Sequence, residues 1–264
     1  MVLVWVISLV KTIPETPKQA KQQPVRSSRV AIAVLYPAQF SKMQLPVLCY
    51  HNIKASGLGY SNAYTINSEI FREQIKMLYD SGYSAISPDQ LMSFFTSGAQ
   101  LPRRPILISF DDTHAEHFSI AAPVLEHYGF RGVFFIMTVA IGKPGYMTAA
   151  EIKALSDRGH IIACHTWDHL DVRKLNESQW HLQLDNSKSR LELITGKQVK
   201  YFAYPSGLWS NMAISQLKRR GIRAAFQLTG TGGNTDILYS IRRLMVNGNW
   251  TANTLWRKIQ TSFK

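Results

Sequence analysis

Residues 105–113 read PILISFDDT. An apolar run of this length, with no alternation of polar and apolar positions, is the pattern of a strand buried on both faces, as in a parallel sheet. It ends on two carboxylates, Asp111 and Asp112, and a helical stretch follows to Tyr128, with Gly129 as its stop. Outward from this unit the pattern recurs. Downstream, residues 132–136, 161–164, 201–203, 224–228 and 241–246 read as short apolar strands. Between them, residues 148–158, 177–195 and 211–220 have helical period, each ended by a glycine: Gly159, Gly196 and Gly221. A last helix holds Leu255 and Ile259. Upstream, residues 46–50 form a strand, Ser68 is placed to cap a helix with Phe71, Ile75 and Leu78 on one face, and Ser87-Pro88 opens another. Strands alternating with helices predict an α/β fold with a parallel sheet covered by helices. Seven or eight units favour a barrel over an open doubly wound sheet, and no G-x-G-x-x-G supports the latter.

Polar motifs sit at three strand ends. They are Asp111-Asp112-Thr113, His165-Thr166-Trp167-Asp168-His169 and Pro205-Ser206-Gly207. In a parallel barrel these ends share one face, where active sites form. Singly, Asp-Asp after a strand reads equally well as a helix N-cap, and H-x-x-x-H as incidental. Together they describe a site. Two imidazoles four residues apart and a carboxylate from another strand can bind one face of a metal ion, leaving positions open for water and substrate. Adjacent carboxylates on an extended chain point in different directions, so one can bind the ion while the other takes a proton. The Pro-Ser-Gly turn can offer a backbone N–H to an oxyanion.

SFDDT (109–113), HTWDH (165–169) and FAYPSG (202–207) resemble the first three motifs of the NodB-homology polysaccharide deacetylases, carbohydrate esterase family 4. PVLCYHNI at 46–53 and RRLMVNGNW at 242–250 are similar to the poly-N-acetylglucosamine deacetylase branch of that family. The resemblance implies a distorted (β/α)7 barrel that hydrolyses N-acetyl groups on a β-linked N-acetylglucosamine polymer or oligomer. By that likeness Asp111 is the general base, and Asp112, His165 and His169 hold one divalent ion, with zinc the first choice and cobalt, nickel or iron as alternatives. The Ser206 backbone N–H serves the oxyanion, and Tyr204 beside it contacts substrate.

Three departures from the family pattern carry expectations of their own. Thr113 stands where a glycine is usual and is expected to narrow the loop. Ala203 stands where an arginine often pairs with the base, so Arg243, or failing that Arg242, is expected to supply the guanidinium. No Leu-x-His follows His181, the last histidine, which leaves His51 as the expected general acid. A histidine has an unperturbed pKa of about 6.5, suited to protonating a leaving amine. Its ring is expected across the metal from Asp111, with room for an acetamide between them. His114 is a weaker candidate for the mouth, while Trp167, Trp209 and Trp250 are read as sugar platforms or as packing. Other functional readings are an O-acetyl esterase of the xylan type and a catalytically weak glycan-binding module.

The net charge of +13 comes from 30 basic and 17 acidic residues. Without zinc-finger spacing, RNP-like aromatics or basic heptads, nucleic acid is not the expected partner. An N-acetylated polysaccharide is, with peripheral contact to membrane or an anionic wall polymer open and a monomer expected. Cys49 and Cys164, each in an apolar run, read as small buried hydrophobes, a single disulfide being the alternative. Residues 1–40 hold ten nearly all-apolar residues and a Pro-, Lys- and Gln-rich linker, read as a signal or anchor remnant of an exported or envelope-associated protein. The deacetylase domain is expected over 41–264, its core motifs over 105–246.

Overall fold

The structure, a computed structural model, describes residues 44–55, 61–228 and 236–263. The apolar segment and linker expected over 1–40 lie outside the described residues. Parallel strands run around a ring in the order Val47–Tyr50, Pro105–Asp111, Val133–Ile136, Ile161–Cys164, Tyr201–Ala203 and Ala224–Gln227. The last strand closes it. Ile241–Arg242 pairs with Ala224–Gln227, whereas Leu244–Met245, on the same chain just beyond Arg243, pairs with Val47–Tyr50. One segment therefore joins both edges, which makes seven strands in a barrel and excludes the open sheet.

Period-two alternation sorts the strand residues into two cores. Leu48, Tyr50, Ile108, Phe110, Phe134, Ile136, Ile162 and Phe202 face outward under the helices. Val47, Leu107, Val133, Phe135, Ala163, Tyr201, Ala203 and Phe226 form the second cluster, inside the barrel. By the same parity Cys49, Ser109 and Asp111 face the lumen. The inward residues near the mouth, Cys49, Ser109, Ala163 and Ala203, are small, and the space they leave is taken by the fully buried Arg243.

Local chemistry explains most element ends. Ser87 and Thr148 make capping boxes with Gln90 and Glu151, as their spacing predicts. Elsewhere the structure differs from expectation. The first helix, Ser68–Asp80, is capped by Asn67, whose side chain accepts from the Glu69 N–H, and Ser68 is its first, buried residue. No helix follows directly on Asp111-Asp112. Asp112 and Thr113 take left-handed φ values of 76° and 70°, and helical backbone resumes only with a π-turn over His117–Ala121 before Ala122–His127. Residues 177–195 are helical throughout but widen into a π-turn at His181–Asn186. Cys49 and Cys164 are both buried and free, so no disulfide joins them. The basic run at 218–220 is neutralised in place: Lys218 pairs with Asp236, Arg219 with Glu177, and Arg220 with Glu177 and Asp185.

Candidate active site

The three expected ligands meet at the C-terminal mouth. One donor atom each from Asp112, His165 and His169 lies within 4.8 Å of the others. Asp112 Oδ1 is 3.5 Å from His165 Nε2 and 3.9 Å from His169 Nε2. It is buried and has no hydrogen-bond partner. A buried carboxylate oxygen without a donor is costly, so something positive is called for between these three groups. The histidines are prepared for it. His165 Nδ1 donates to the Ala203 carbonyl at 2.9 Å, which fixes the tautomer that leaves Nε2 as a lone pair. Burial lowers the pKa of His165 and so favours the neutral ring a ligand needs. His169 comes from a turn tied by its own N–H to Thr166 Oγ1. Gln183, buried on the π-turn, accepts from the Trp167 N–H and donates to Asp168. The donor set fits a divalent ion.

Asp111 is held differently. Arg243 grips it with two 2.7 Å hydrogen bonds, Nη1 to Oδ1 and Nη2 to Oδ2, both residues being about 1% exposed. Burial alone would raise the Asp111 pKa, but the guanidinium beside it holds the carboxyl well below the usual range. Arg242 turns away to the carboxy-terminal segment, donating to the Ser262 carbonyl and covering the Phe263 ring.

Two contacts around Asp111 were not foreseen. The Cys49 thiol donates to Asp111 Oδ2 at 3.4 Å, and burial pushes its pKa up, so it remains a thiol. Strand parity carried that signal, since Cys49 and Asp111 are inward positions of paired strands. His117 Nε2 donates to the His51 carbonyl at 2.7 Å. No sequence pattern indicated it. The His51 ring corrects an expectation: it stands beside Asp111, not across from it. Cys49, His51 and Asp111 each place a donor atom within 4.8 Å of the others, too close for an acetamide between His51 and Asp111. This second trio is no metal set, because a buried guanidinium already neutralises its carboxylate and its cysteine is protonated.

Motif three is corrected in part as well. Ser206 sits exposed at a left-handed φ of 55°, and Gly207 follows at 71° where an added Cβ would strike the Leu228 backbone. Tyr204, expected to contact substrate, is fully buried, and its hydroxyl donates to the Tyr239 carbonyl. The alternation that points Ala203 inward turns Tyr204 outward under the helices. Thr113 occupies its left-handed position with Oγ1 accepting from the Met137 N–H at 2.8 Å, a hydrogen bond that glycine would lack. The aromatic ring of His114 stacks on Tyr146 with centroids 5.3 Å apart. His160 is buried and bonded to Glu126 and the Gly132 N–H.

The burial of His117 has a consequence for stability. Burial, and then His114, pushes its pKa down to about 3, so the folded protein keeps the ring neutral while the unfolded chain protonates near 6.5. A depressed histidine costs stability on acidification: below about pH 6.5 the unfolded state binds the extra proton, with a limiting slope of about 1.4 kcal/mol per pH unit. His117→Gln, which keeps a donor for the His51 carbonyl, should flatten urea-unfolding free energies between pH 4 and 6. An unchanged slope would show that His117 is not the group responsible.

Fold and site define a (β/α)7-barrel protein with a carboxylate–imidazole centre at its mouth. Residues 98–225 match the family model described as polysaccharide deacetylase. The Bacillus subtilis (strain 168) protein YxkH, whose name assigns it to polysaccharide deacetylases, is 24% identical over 219 residues, covering 83% of this chain and 77% of its own. The poly-beta-1,6-N-acetyl-D-glucosamine N-deacetylase of Staphylococcus aureus (strain MRSA252) is 25% identical over 201 residues, 70% of this chain and 68% of that one. Among solved structures, the Streptococcus pyogenes deacetylase PplD in complex with acetate superposes with a TM-score of 0.75 at 20% identity, covering 83% and 99% of the two chains. The chain carries a polysaccharide deacetylase domain, matched over residues 98–225, and it is an enzyme of that kind.

Proposed function

We propose that the chain is a metal-dependent hydrolase that removes N-acetyl groups from a β-linked N-acetylglucosamine polymer or oligomer. The observation that carries this is the pairing of two unlike carboxylates: Asp112 with an unpartnered buried oxygen before two imidazoles, and Asp111 clamped by arginine. A divalent ion held by Asp112, His165 and His169 supplies a Lewis acid for the acetamide carbonyl and lowers the pKa of water. Zinc suits this nitrogen and oxygen set, and cobalt, nickel or iron would satisfy it too.

Asp111 is the base that takes a proton from the attacking water, ionised because Arg243 is in contact with it. The Ser206 backbone N–H is offered to the oxyanion. His51, beside Asp111 and half-buried, delivers a proton to the leaving nitrogen, without which an amide anion would have to depart. The S. aureus relative's named substrate supports a β-1,6-linked polymer, and the basic surface suits an anionic wall or membrane nearby, with action at the envelope or outside the cell. No helix among the described residues is long and apolar enough to cross a membrane. We take the working unit as the monomer.

The test is acetate release from poly-β-1,6-N-acetylglucosamine, chitin and peptidoglycan fragments, beside O-acetylated xylan, with and without chelator. Release from the first, lost on chelation and restored by zinc, is the expected result. Preference for xylan would make the protein an O-acetyl esterase. His51→Ala should keep metal and substrate binding yet lose turnover by roughly 10²–10⁴; near-normal hydrolysis would remove His51 from the mechanism.

A further inference from the structure

Tyr64 is 56% exposed, and its ring meets the His51 ring edge-on, with centroids 5.5 Å apart at 82°. Exposed aromatics are ordinary on surfaces and need no function. Tyr79 and Trp256, the other large exposed aromatics among the described residues, sit on the outer helices Ser68–Asp80 and Ala252–Ser262. Tyr64 differs in how firmly its backbone is held and in where it is held.

The residue precedes the short strand Thr65–Asn67, which pairs in parallel with Asn52–Lys54, so Tyr64 and His51 enter the two strands side by side. Its carbonyl accepts from the Asn52 N–H at 2.9 Å and its N–H donates to Asn62 Oδ1 at 2.8 Å. The turn beneath it is closed by the Asn62 N–H on the Thr65 carbonyl at 3.0 Å. That turn lies flat on Gly248, where an added Cβ would sit 1.9 Å from the Thr65 oxygen. Gly248 belongs to the segment that continues from the closing strand and Arg243. A large, solvent-facing ring thus stands edge-on to the active-site histidine, on backbone held from two directions in the chain.

The expected platforms are less free. Trp167, Trp209 and Trp250 are all only partly exposed. Trp209 donates its indole N–H to Gln227, and Trp250 packs on the core beneath Lys258.

We propose that Tyr64 is the stacking platform for a pyranose ring of the glycan next to the reacting acetamide. A β-linked glucosamine ring has equatorial hydroxyls and an apolar face of axial C–H bonds, which matches the face of a phenol ring whose orientation is already paid for in folding. This inference rests on the glycan-deacetylase reading and names a subsite of that site. It predicts binding strength that grows with oligomer length and passes through Tyr64.

The experiment is calorimetric titration of metal-free protein with β-1,6-linked N-acetylglucosamine pentamer, alongside hydrolysis of 4-nitrophenyl acetate, which occupies no sugar subsite. Tyr64→Ala should weaken pentamer binding by about tenfold, Tyr64→Phe should bind as the natural protein does, and ester hydrolysis by the zinc-loaded forms should be unchanged. Equal affinity of the Ala variant, or ester hydrolysis falling in step with affinity, overturns the platform. So does a natural protein that cleaves the ester yet binds no pentamer. Pentamer bound through Tyr64 without acetate release would overturn the deacetylase reading and leave the platform standing.

Discussion

Asp111→Asn should bind zinc with the stoichiometry of the natural protein while releasing acetate about 10²–10⁴ times more slowly, the loss typical of a missing general base. The reasoning is geometric. Both oxygens of Asp111 are taken by Arg243, and Oδ2 also receives the Cys49 thiol, so little of this carboxylate is left for a metal. Asp112 Oδ1 has no partner and faces the two imidazoles. Asparagine keeps one acceptor oxygen and the shape of the site but has no charge with which to receive a proton. The two readouts separate the roles. If metal content falls together with turnover, Asp111 is itself a ligand and the assignments of the two aspartates exchange.

Arg243→Met should cost about 3–5 kcal/mol in urea unfolding near pH 7 and abolish most activity, because it leaves a buried carboxylate without its counter-charge. Methionine fills much of the volume but has no guanidinium to lie over the Phe135 ring, so the lost charge and its contacts dominate. The pH dependence gives the sign. In the natural protein the Asp111 pKa is depressed, so its pairing is fully present above the unfolded value, about 3.9, and is lost only as pH falls towards the folded one. Without the guanidinium, burial is the surviving influence and raises that pKa. The stability deficit of Arg243→Met should therefore shrink on acidification through pH 5 to 4. A deficit constant with pH would mean that lost packing, and not a stranded charge, is the cause. Because the two groups are in contact, Asp111→Asn and Arg243→Met should combine to less than the sum of their separate losses.

The barrel class and the three residues that converge as a candidate metal site were legible in the sequence alone. Unbroken apolar strands such as 105–110 can only be covered on both faces, and glycine stops such as Gly159, Gly196 and Gly221 set the lengths of the units between them. The motifs HTWDH and FDDT lie directly at strand ends, so naming the strands already put Asp112, His165 and His169 on one face. Arg243 was legible by subtraction, as a cation expected once Ala203 had displaced the usual one. What only the tertiary structure decided are contacts across the ring between residues far apart in the chain. Asp111 meets Arg243 because one segment joins both barrel edges, a closure that no local periodicity encodes. His117 reaches the His51 carbonyl because Asp112 and Thr113 bend into left-handed backbone before the helix begins. Tyr204 was misassigned for a reason of parity: its neighbour Ala203 faces the lumen, so its own ring must face the helices. Tyr64 had no signal at all, since nothing in the sequence sets it apart from Tyr60 in the same stretch, and it becomes conspicuous only when Gly248, brought round by the closing strand, meets the turn beneath it.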